Sequence, residues 1–256
     1  MSDRIVPVEQ LLDSRYGTVL CYPRFDSAEA EGRVKQLKSL GVKALEFRGE
    51  KMAFNLPVLG KGKVGIVLTA YVKTRRVALK VRRVDSDRKE MTHEAEMLRR
   101  ANEIQVGPRL IGVKRDFLLL EFLEGTPLPQ WVTNLKGRGA KNRIHTVLPD
   151  ILWQCRRLDE IGLDHGELSR APKHVIIDSQ DRAHIVDFEA ASTERRPSNV
   201  TSICQYLFIG SQLARTVNRK LGQINTEALV SALQRYKSVR TEQNFSQILK
   251  VCNFKT

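Results

Sequence analysis

Residues 59–81 read LGKGKVGIVLTAYVKTRRVALKV, and this stretch decides the fold expected for the chain. Its first part, residues 60–67, has the glycine spacing G-x-G-x-x-G-x-V. Such a motif is a weak signal by itself, because in a dinucleotide-binding site the glycines begin a helix. Here residues 66–72 follow, and their β-branched side chains favour a strand. The pattern predicts a strand–loop–strand hairpin whose bare backbone can lie over phosphate groups.

A lysine follows on the second of the two strands after the glycines. Ala78 and Lys80 share a face of that strand, because side chains alternate with period two. Ala78 leaves room for a flat base, and Lys80 can reach phosphates. A lysine in such a site needs a carboxylate to orient it, and the helix predicted at residues 88–102 offers two. We expect this partner to be Glu94, next to the apolar stripe, with Glu96 as the alternative.

The rest of the chain divides into an N-terminal extension, a β-rich part and a helical part. Residues 1–50 are predicted to form the extension, with a strand at 19–22, a helix from Asp26 or Ser27 to Gly41, and a strand at 42–47. Residues 51–124 contain the glycine hairpin, the helix at 88–102 and a hairpin formed by residues 110–113 and 117–120. This composition predicts an α+β fold.

Residues 125–256 are predicted to be mostly helical. The predicted helices are 141–161, 199–220, 226–236 and 241–251, and a short β segment lies at 175–186. A β-rich half followed by a helical half suggests two lobes with a cleft between them.

These motifs together resemble the protein-kinase superfamily, since residues 77–80 read VALK, close to V-A-I-K. The resemblance implies a protein-kinase-like fold with an N-lobe at 51–124, a minimal C-lobe at 125–256, and ATP and Mg²⁺ as cofactors. The resemblance also implies that residues 119–123 are the hinge, that Leu120 is the gatekeeper, and that the backbone of Glu121 and Leu123 forms hydrogen bonds to adenine. The other implied nucleotide-binding residues are Leu59, Gly60, Gly62, Gly65, Val67, Ala78, Lys80, Glu94 and Ile176.

Residues 165–168 read HGEL, which is similar to the HGDL of the small kinase of the KEOPS complex and of other compact archaeal kinases. RIO-type kinases are a looser match. Glu167 stands for the catalytic aspartate, and its carboxylate lies one methylene further out. A shift of about 1 Å costs roughly a hundredfold in rate if nothing compensates. Only nine residues separate Glu189 from Asn199, so we expect no long activation segment and expect docking through the extension or a partner protein.

The metal-binding positions of the resemblance also depart from the family pattern. Asp187 opens Asp-Phe-Glu in place of D-F-G and is implied to hold Mg²⁺. His174 stands where the family has a metal-binding asparagine, and imidazole is a poor Mg²⁺ ligand. One metal position is therefore either lost or completed by Glu189. His174 itself would then have a structural role. His165 is expected to fix the loop backbone near Asp187.

Composition limits the partners and the compartment. The net charge is +14, and half of the excess lies in residues 61–100, where twelve bases face five acids. Such a field attracts nucleotides or RNA, although composition alone slightly favours a solvated basic surface. The four cysteines are far apart in sequence and predict buried, reduced thiols. The sequence lacks a signal peptide and a long apolar stretch, so we expect a cytoplasmic protein that does not contact membranes.

The function expected from these observations is that of an atypical serine/threonine protein kinase. Lys80 would contact phosphate, Asp187 would hold Mg²⁺, and Glu167 would accept the proton of the hydroxyl acceptor. The acceptor would be a protein substrate or the chain itself, with slow ATP hydrolysis when none is present. One alternative is a nucleotide-binding pseudokinase or scaffold, and another is an RNA-associated ATPase or kinase. A small-molecule phosphotransferase is less expected, because the helical half is short.

Overall fold

The computed structural model describes residues 4–170 and 172–255. It shows an α+β fold with antiparallel sheets, as the sequence predicts. The chain divides into two compact units. Unit 1 contains residues 4–99 and 108–123, and unit 2 contains residues 100–107 and 124–255.

Unit 1 is built around one large sheet with helices. Its helices are α1 (Ser14–Leu20), α2 (Ser27–Ser39) and most of α3 (Thr92–Glu103). Its strands are β1 (Arg4–Pro7), β2 (Val42–Phe47), β3 (Lys51–Ala53), β4 (Leu56–Val58), β5 (Gly60–Lys61), β6 (Gly65–Val72), β7 (Arg75–Arg82), β8 (Leu110–Lys114) and β9 (Phe117–Glu121). The sheet order is β1-β2-β6-β7-β9-β8, and β5 also pairs with β6.

Residues 4–50, predicted to form an N-terminal extension, belong to unit 1 and add two strands to its large sheet. Strand β2 pairs with β6 along residues 42–46, while β1 pairs with the outer side of β2. The strand predicted at residues 19–22 is wrong, because residues 14–20 form α1. Its N-cap Asp13 accepts a hydrogen bond from the backbone of Arg15 at 2.8 Å.

The helix predicted after Asp26 is confirmed as α2. Asp26 caps it by accepting from the backbone of Glu29 at 2.7 Å, and Gly41 follows its end with a φ of +75°. The apolar side of α2 packs with α1 on one face of the sheet. The buried residues of this core include Leu20, Ala30, Val34, Leu37, Leu45, Ile66, Leu68, Val77, Leu79, Phe117 and Leu119.

Helix α3 covers part of the other face of the same sheet. Met91, just before the helix, and Ala95 pack against Leu118, with Leu110 and Leu120 at the margin of this cluster. The helix begins at Thr92, four residues later than predicted. Unit 1 therefore has a large buried core on the sheet face next to α1 and α2, and α3 covers part of the other face.

Unit 2 is mainly helical, as predicted. Its helices are α4 (Leu128–Asn134), α5 (Ala140–Glu160), α6 (Asn199–Cys204), α7 (Gln212–Leu221), α8 (Thr226–Ser238) and α9 (Glu242–Val251). A small antiparallel sheet has the order β10 (Gly125–Pro127), β11 (Val175–Asp178) and β12 (Ala183–Ile185). All four cysteines of the chain are buried and free, as the sequence predicts.

The single helix predicted at residues 199–220 is wrong. Helix α6 ends at Cys204, residues 205–209 form a π-helical segment, and the chain breaks at Gly210 before α7. Ser211 begins α7 by accepting from the backbone of Ala214 at 2.9 Å. The sequence analysis also missed α4, which follows Pro127 and buries Trp131.

Candidate functional site

The glycine-rich stretch forms a hairpin, as the sequence predicts. In the pairing of β5 with β6, Gly60 faces Val67 and Lys61 faces Ile66. The turn closes where the Gly62 N–H donates to the Gly65 carbonyl at 2.8 Å. The glycines therefore do not begin a helix, and the dinucleotide-type arrangement is excluded for this stretch.

Arg83 and Tyr22 hold this hairpin, and the sequence analysis did not identify either of them. The Arg83 N–H donates to the Val64 carbonyl at 2.8 Å, and its guanidinium donates to the Gly62 carbonyl at 3.0 Å. The Lys61 ammonium and the Arg83 guanidinium lie 4.5 and 4.6 Å from the centre of the Tyr22 ring. The turn backbone is thus fastened to the end of β7 and to the segment after α1. No local sequence pattern signals this contact.

The predicted nucleotide-binding side chains of the sheet share one face of unit 1. Val67 is paired with Lys80, and Ala78 with Leu120, so all four point to the side that α3 partly covers. Val67, Ala78 and Leu120 are half-buried, whereas their neighbours on the opposite face belong to the core. Leu59, also half-buried, donates its N–H to the Val67 carbonyl at 2.9 Å.

Lys80 forms a buried ion pair with Glu94 on this face. The Lys80 ammonium lies 2.9 Å from Oε1 of Glu94, and the two side chains are only 7% and 5% exposed. Glu96, the alternative partner, is exposed on α3. Taking two charges out of water costs more free energy than an ordinary ion pair returns, so stability alone is a weak reason for this pair. Buried, oriented charges of this kind are typical of functional sites.

The end of β9 corresponds to the predicted hinge. The Glu121 N–H donates to the Arg109 carbonyl at 2.9 Å, and the Glu121 carboxylate accepts from the Arg109 N–H at 3.2 Å. The Glu121 N–H is therefore engaged within unit 1 and is not available for the predicted contact with adenine. Leu123 lies two residues beyond the strand and is half-buried.

In unit 2, His165 holds the backbone beside Asp187, as expected. The backbone N–H of His165 donates to Oδ1 of Asn199 at 2.8 Å, and the ring Nε2 lies 3.1 Å from the Val186 carbonyl. Its ring also packs edge-on against Phe188, with centroids 5.0 Å apart. Burial, together with the neighbouring imidazole of His174, lowers the pKa of His165 to about 4. The neutral ring donates to the carbonyl that precedes Asp187.

Glu167, His174 and Asp187 form a cluster in unit 2. Nε2 of His174 lies 3.6 Å from Oε2 of Glu167 and 3.7 Å from Oδ2 of Asp187. His174 is 2% exposed, and neither of its ring nitrogens has a hydrogen-bond partner among the described residues. One donor atom from each of the three residues lies within 4.8 Å of the other two. The cluster can accept a divalent cation, because a cation would satisfy the unpartnered imidazole and both carboxylates.

The remaining predicted residues of unit 2 are Glu189 and Ile176. Glu189 is half-buried, and one of its carboxylate oxygens lies within 4.8 Å of an oxygen of Asp187. Ile176 is half-buried on β11, where it is paired with Pro127 and His184.

Two residues that the sequence analysis missed support the loop that carries Glu167. Asp164 accepts from the Ser198 N–H and from Arg195, both at 3.0 Å. Asn199, besides holding His165, donates its amide to Asp159 at 2.8 Å. The position of Asp164 next to the HGEL segment was the one signal that pointed to it.

Two adjoining cavities of ≈ 250 Å³ and ≈ 330 Å³ lie in unit 2, and Tyr206 and Ser211 line both. Ser169 and Arg170, which follow Glu167 closely in the chain, line the first. The other side of the first cavity is lined by residues at the break between α6 and α7, including Gln205 and Gly210. Space for a further molecule therefore exists beside residues 168–170.

Comparison with known proteins shows a partial likeness. No family model matches the chain. It is similar to an uncharacterized protein of Methanocaldococcus jannaschii, with 29% identity over 102 residues that make up 40% of this chain and 83% of that protein. Among the described helices, none combines the length and the apolar character needed to cross a bilayer.

Proposed function

We propose that the chain is an ATP-dependent phosphotransferase, an atypical serine/threonine protein kinase that transfers the γ-phosphoryl group of ATP to a hydroxyl. The observation that carries this proposal is the buried pair of Lys80 and Glu94 on the sheet face next to the glycine hairpin. A lysine oriented by a carboxylate can bind phosphate oxygens, and a glycine hairpin can cover a triphosphate with backbone amides.

The proposed reaction assigns one role to each group. The acceptor hydroxyl attacks the γ-phosphorus, its O–H proton passes to Glu167, and the bond to the β–γ bridging oxygen breaks to release ADP. Lys80 binds phosphate oxygens, and Glu94 keeps its ammonium group in place. Asp187 would hold a divalent cation, which would supply positive charge near the phosphate oxygens. The first cavity, lined by Ser169 and Arg170, offers room for part of a polypeptide acceptor two to three residues along the chain from Glu167.

Transfer of labelled phosphate from [γ-³²P]ATP tests the proposal. We expect Lys80→Ala and Asp187→Ala each to reduce transfer or ATP hydrolysis by about 100-fold or more. Lys80→Ala removes a positive charge that stabilises the transition state, and Asp187→Ala removes the ligand that would hold the cation. Lys35→Ala is the matched control, since Lys35 is exposed on α2 and its loss should leave the rate unchanged. A single background rate shared by wild type and both site variants would overturn the proposal.

A nucleotide-binding pseudokinase or scaffold is the second candidate. The observation that favours it is that Oε2 of Glu167 is buried beside His174, which draws one oxygen of the proposed base away from an acceptor. Binding without transfer distinguishes the two. A pseudokinase would bind an ATP analogue and lose that binding in Lys80→Ala, while wild type transfers no phosphate.

A further inference from the structure

We infer that the cluster of Glu167, His174 and Asp187 binds a divalent transition-metal ion such as Mn²⁺ in preference to Mg²⁺. It rests on the proposed function only because that function also assigns a divalent cation to Asp187. The rest of it depends on the surroundings and the chemistry of the three side chains.

The first observation is the state of His174. Its side chain is 3% exposed, and both of its ring nitrogens lack a hydrogen-bond partner within the described chain. Buried polar groups in folded proteins nearly always have a partner, so an unpartnered imidazole points to a group that binds it. Nε2 faces two carboxylates, and a neutral imidazole nitrogen with a free electron pair is a metal ligand.

The second observation is the spacing of the donor atoms. Nε2 lies 3.6 Å from Glu167 and 3.7 Å from Asp187. Metal–ligand bonds to imidazole and carboxylate are about 2.1 Å long, so one ion can bridge donors up to about 4.2 Å apart. Both separations are within this reach, and the donor oxygens of Glu167 and Asp187 lie within 4.8 Å of each other.

The donor set determines which ion is favoured. Mg²⁺ prefers oxygen ligands and keeps much of its water, whereas imidazole suits transition-metal ions. An asparagine at position 174 would supply an oxygen, and this chain supplies a nitrogen instead. The substitution therefore changes the preferred ion while the carboxylates keep the charge. Oε2 is the oxygen of Glu167 near His174, which leaves Oε1 to accept a proton.

The backbone at Asp187 adds to the argument. Its φ of +70° lies in the left-handed region, which is uncommon for a residue with a side chain. Such conformations persist where the surroundings hold them and are concentrated at ligand-binding and active sites. His165 contributes to these surroundings, since its ring contacts the carbonyl of Val186 and packs against Phe188, the residues before and after Asp187 in the chain.

Metal binding to the full-length protein, stripped with EDTA and free of nucleotide, tests the inference. Loss of the free Mn²⁺ electron paramagnetic resonance signal measures binding of MnCl₂, and MgCl₂ is then added as the competitor. We expect one Mn²⁺ per chain, displaced by Mg²⁺ only at concentrations about tenfold higher or more. His174→Asn should weaken Mn²⁺ binding by about 10- to 100-fold and reduce the preference over Mg²⁺.

His184→Asn is the matched control, because His184 also contacts a carboxylate, Asp178, at 3.1 Å, but lies outside the cluster. It should bind Mn²⁺ like wild type. Circular dichroism checks folding, and Asp187→Asn provides a second site variant if His174→Asn does not fold. The inference is wrong if no Mn²⁺ binds, if Mg²⁺ competes equally, or if the control and His174→Asn behave alike. Mn²⁺ binding by a protein that transfers no phosphate would overturn the proposed function and leave the inference standing.

Discussion

At the scale of single residues, Gly166 shows how tightly the loop before Glu167 is built. Its φ is +86°, and a Cβ at this position would lie 2.8 Å from the Ala190 carbonyl oxygen and 2.6 Å from the Arg195 guanidinium. Arg195 itself is fixed by Asp164 and by the Ala190 carbonyl, at 3.0 and 2.6 Å. Any side chain at position 166 therefore meets both backbone strain and atoms that cannot easily move.

We expect Gly166→Ala to lower the free energy of unfolding of unit 2 by about 1–3 kcal/mol, through left-handed strain and the contact with Ala190. Both tryptophans, Trp131 and Trp153, lie in unit 2, so tryptophan fluorescence during urea unfolding reports on it. Gly139→Ala is the control, because Gly139 has a negative φ and open space around it. Equal effects of the two substitutions would show that the loop tolerates a side chain.

At the scale of elements, Arg33 of α2 joins the N-terminal helices to the strands that carry the glycine hairpin and Lys80. Its guanidinium is fully buried and donates to the Arg82 carbonyl at 2.6 Å and to Asp116 at 3.1 Å. Burial alone would raise the pKa of Asp116, but the hydrogen bond from Gln36 and the charges of Arg33 and Arg82 outweigh it, and the pKa is lowered. This stabilisation is complete above the ordinary carboxyl pKa and is lost as the pH falls below about 4.

Arg33→Ala should destabilise unit 1 by about 3–5 kcal/mol at neutral pH, because it removes one partner of a buried charged network. Urea unfolding followed by circular dichroism measures the change. Lys35→Ala is the control, because Lys35 is exposed on the same helix. It should change the free energy of unfolding by less than about 0.5 kcal/mol. A small effect of Arg33→Ala would mean that residues 4–50 contribute little to unit 1.

The elements also show what sequence alone can predict. The glycine hairpin, β7 and the Lys80–Glu94 pair were predicted because each depends on local periodicity and on which face a residue occupies. The break at Gly210 was not predicted, because glycine is tolerated inside helices and residues 199–220 keep an apolar pattern. The place of β2 beside β6 was missed as well, since strand pairing depends on contacts distant in sequence. The approach of His174 to Glu167 likewise depends on how residues 164–175 fold.

At the scale of the whole molecule, the two units carry different parts of the proposed chemistry. Unit 1 holds the glycine hairpin, Lys80 and Glu94, and unit 2 holds Glu167, His174 and Asp187. The net charge of +14 suits a phosphate-rich ligand, and RNA as a partner remains a prediction. The chain thus combines groups suited to binding a triphosphate with groups suited to binding a cation and accepting a proton.

A crystal structure with a non-hydrolysable ATP analogue would show where the triphosphate binds. We expect the triphosphate against the hairpin of residues 60–65, with a phosphate oxygen within hydrogen-bonding distance of the Lys80 ammonium. An analogue bound away from this hairpin, or a Lys80 that contacts no phosphate oxygen, would contradict this expectation.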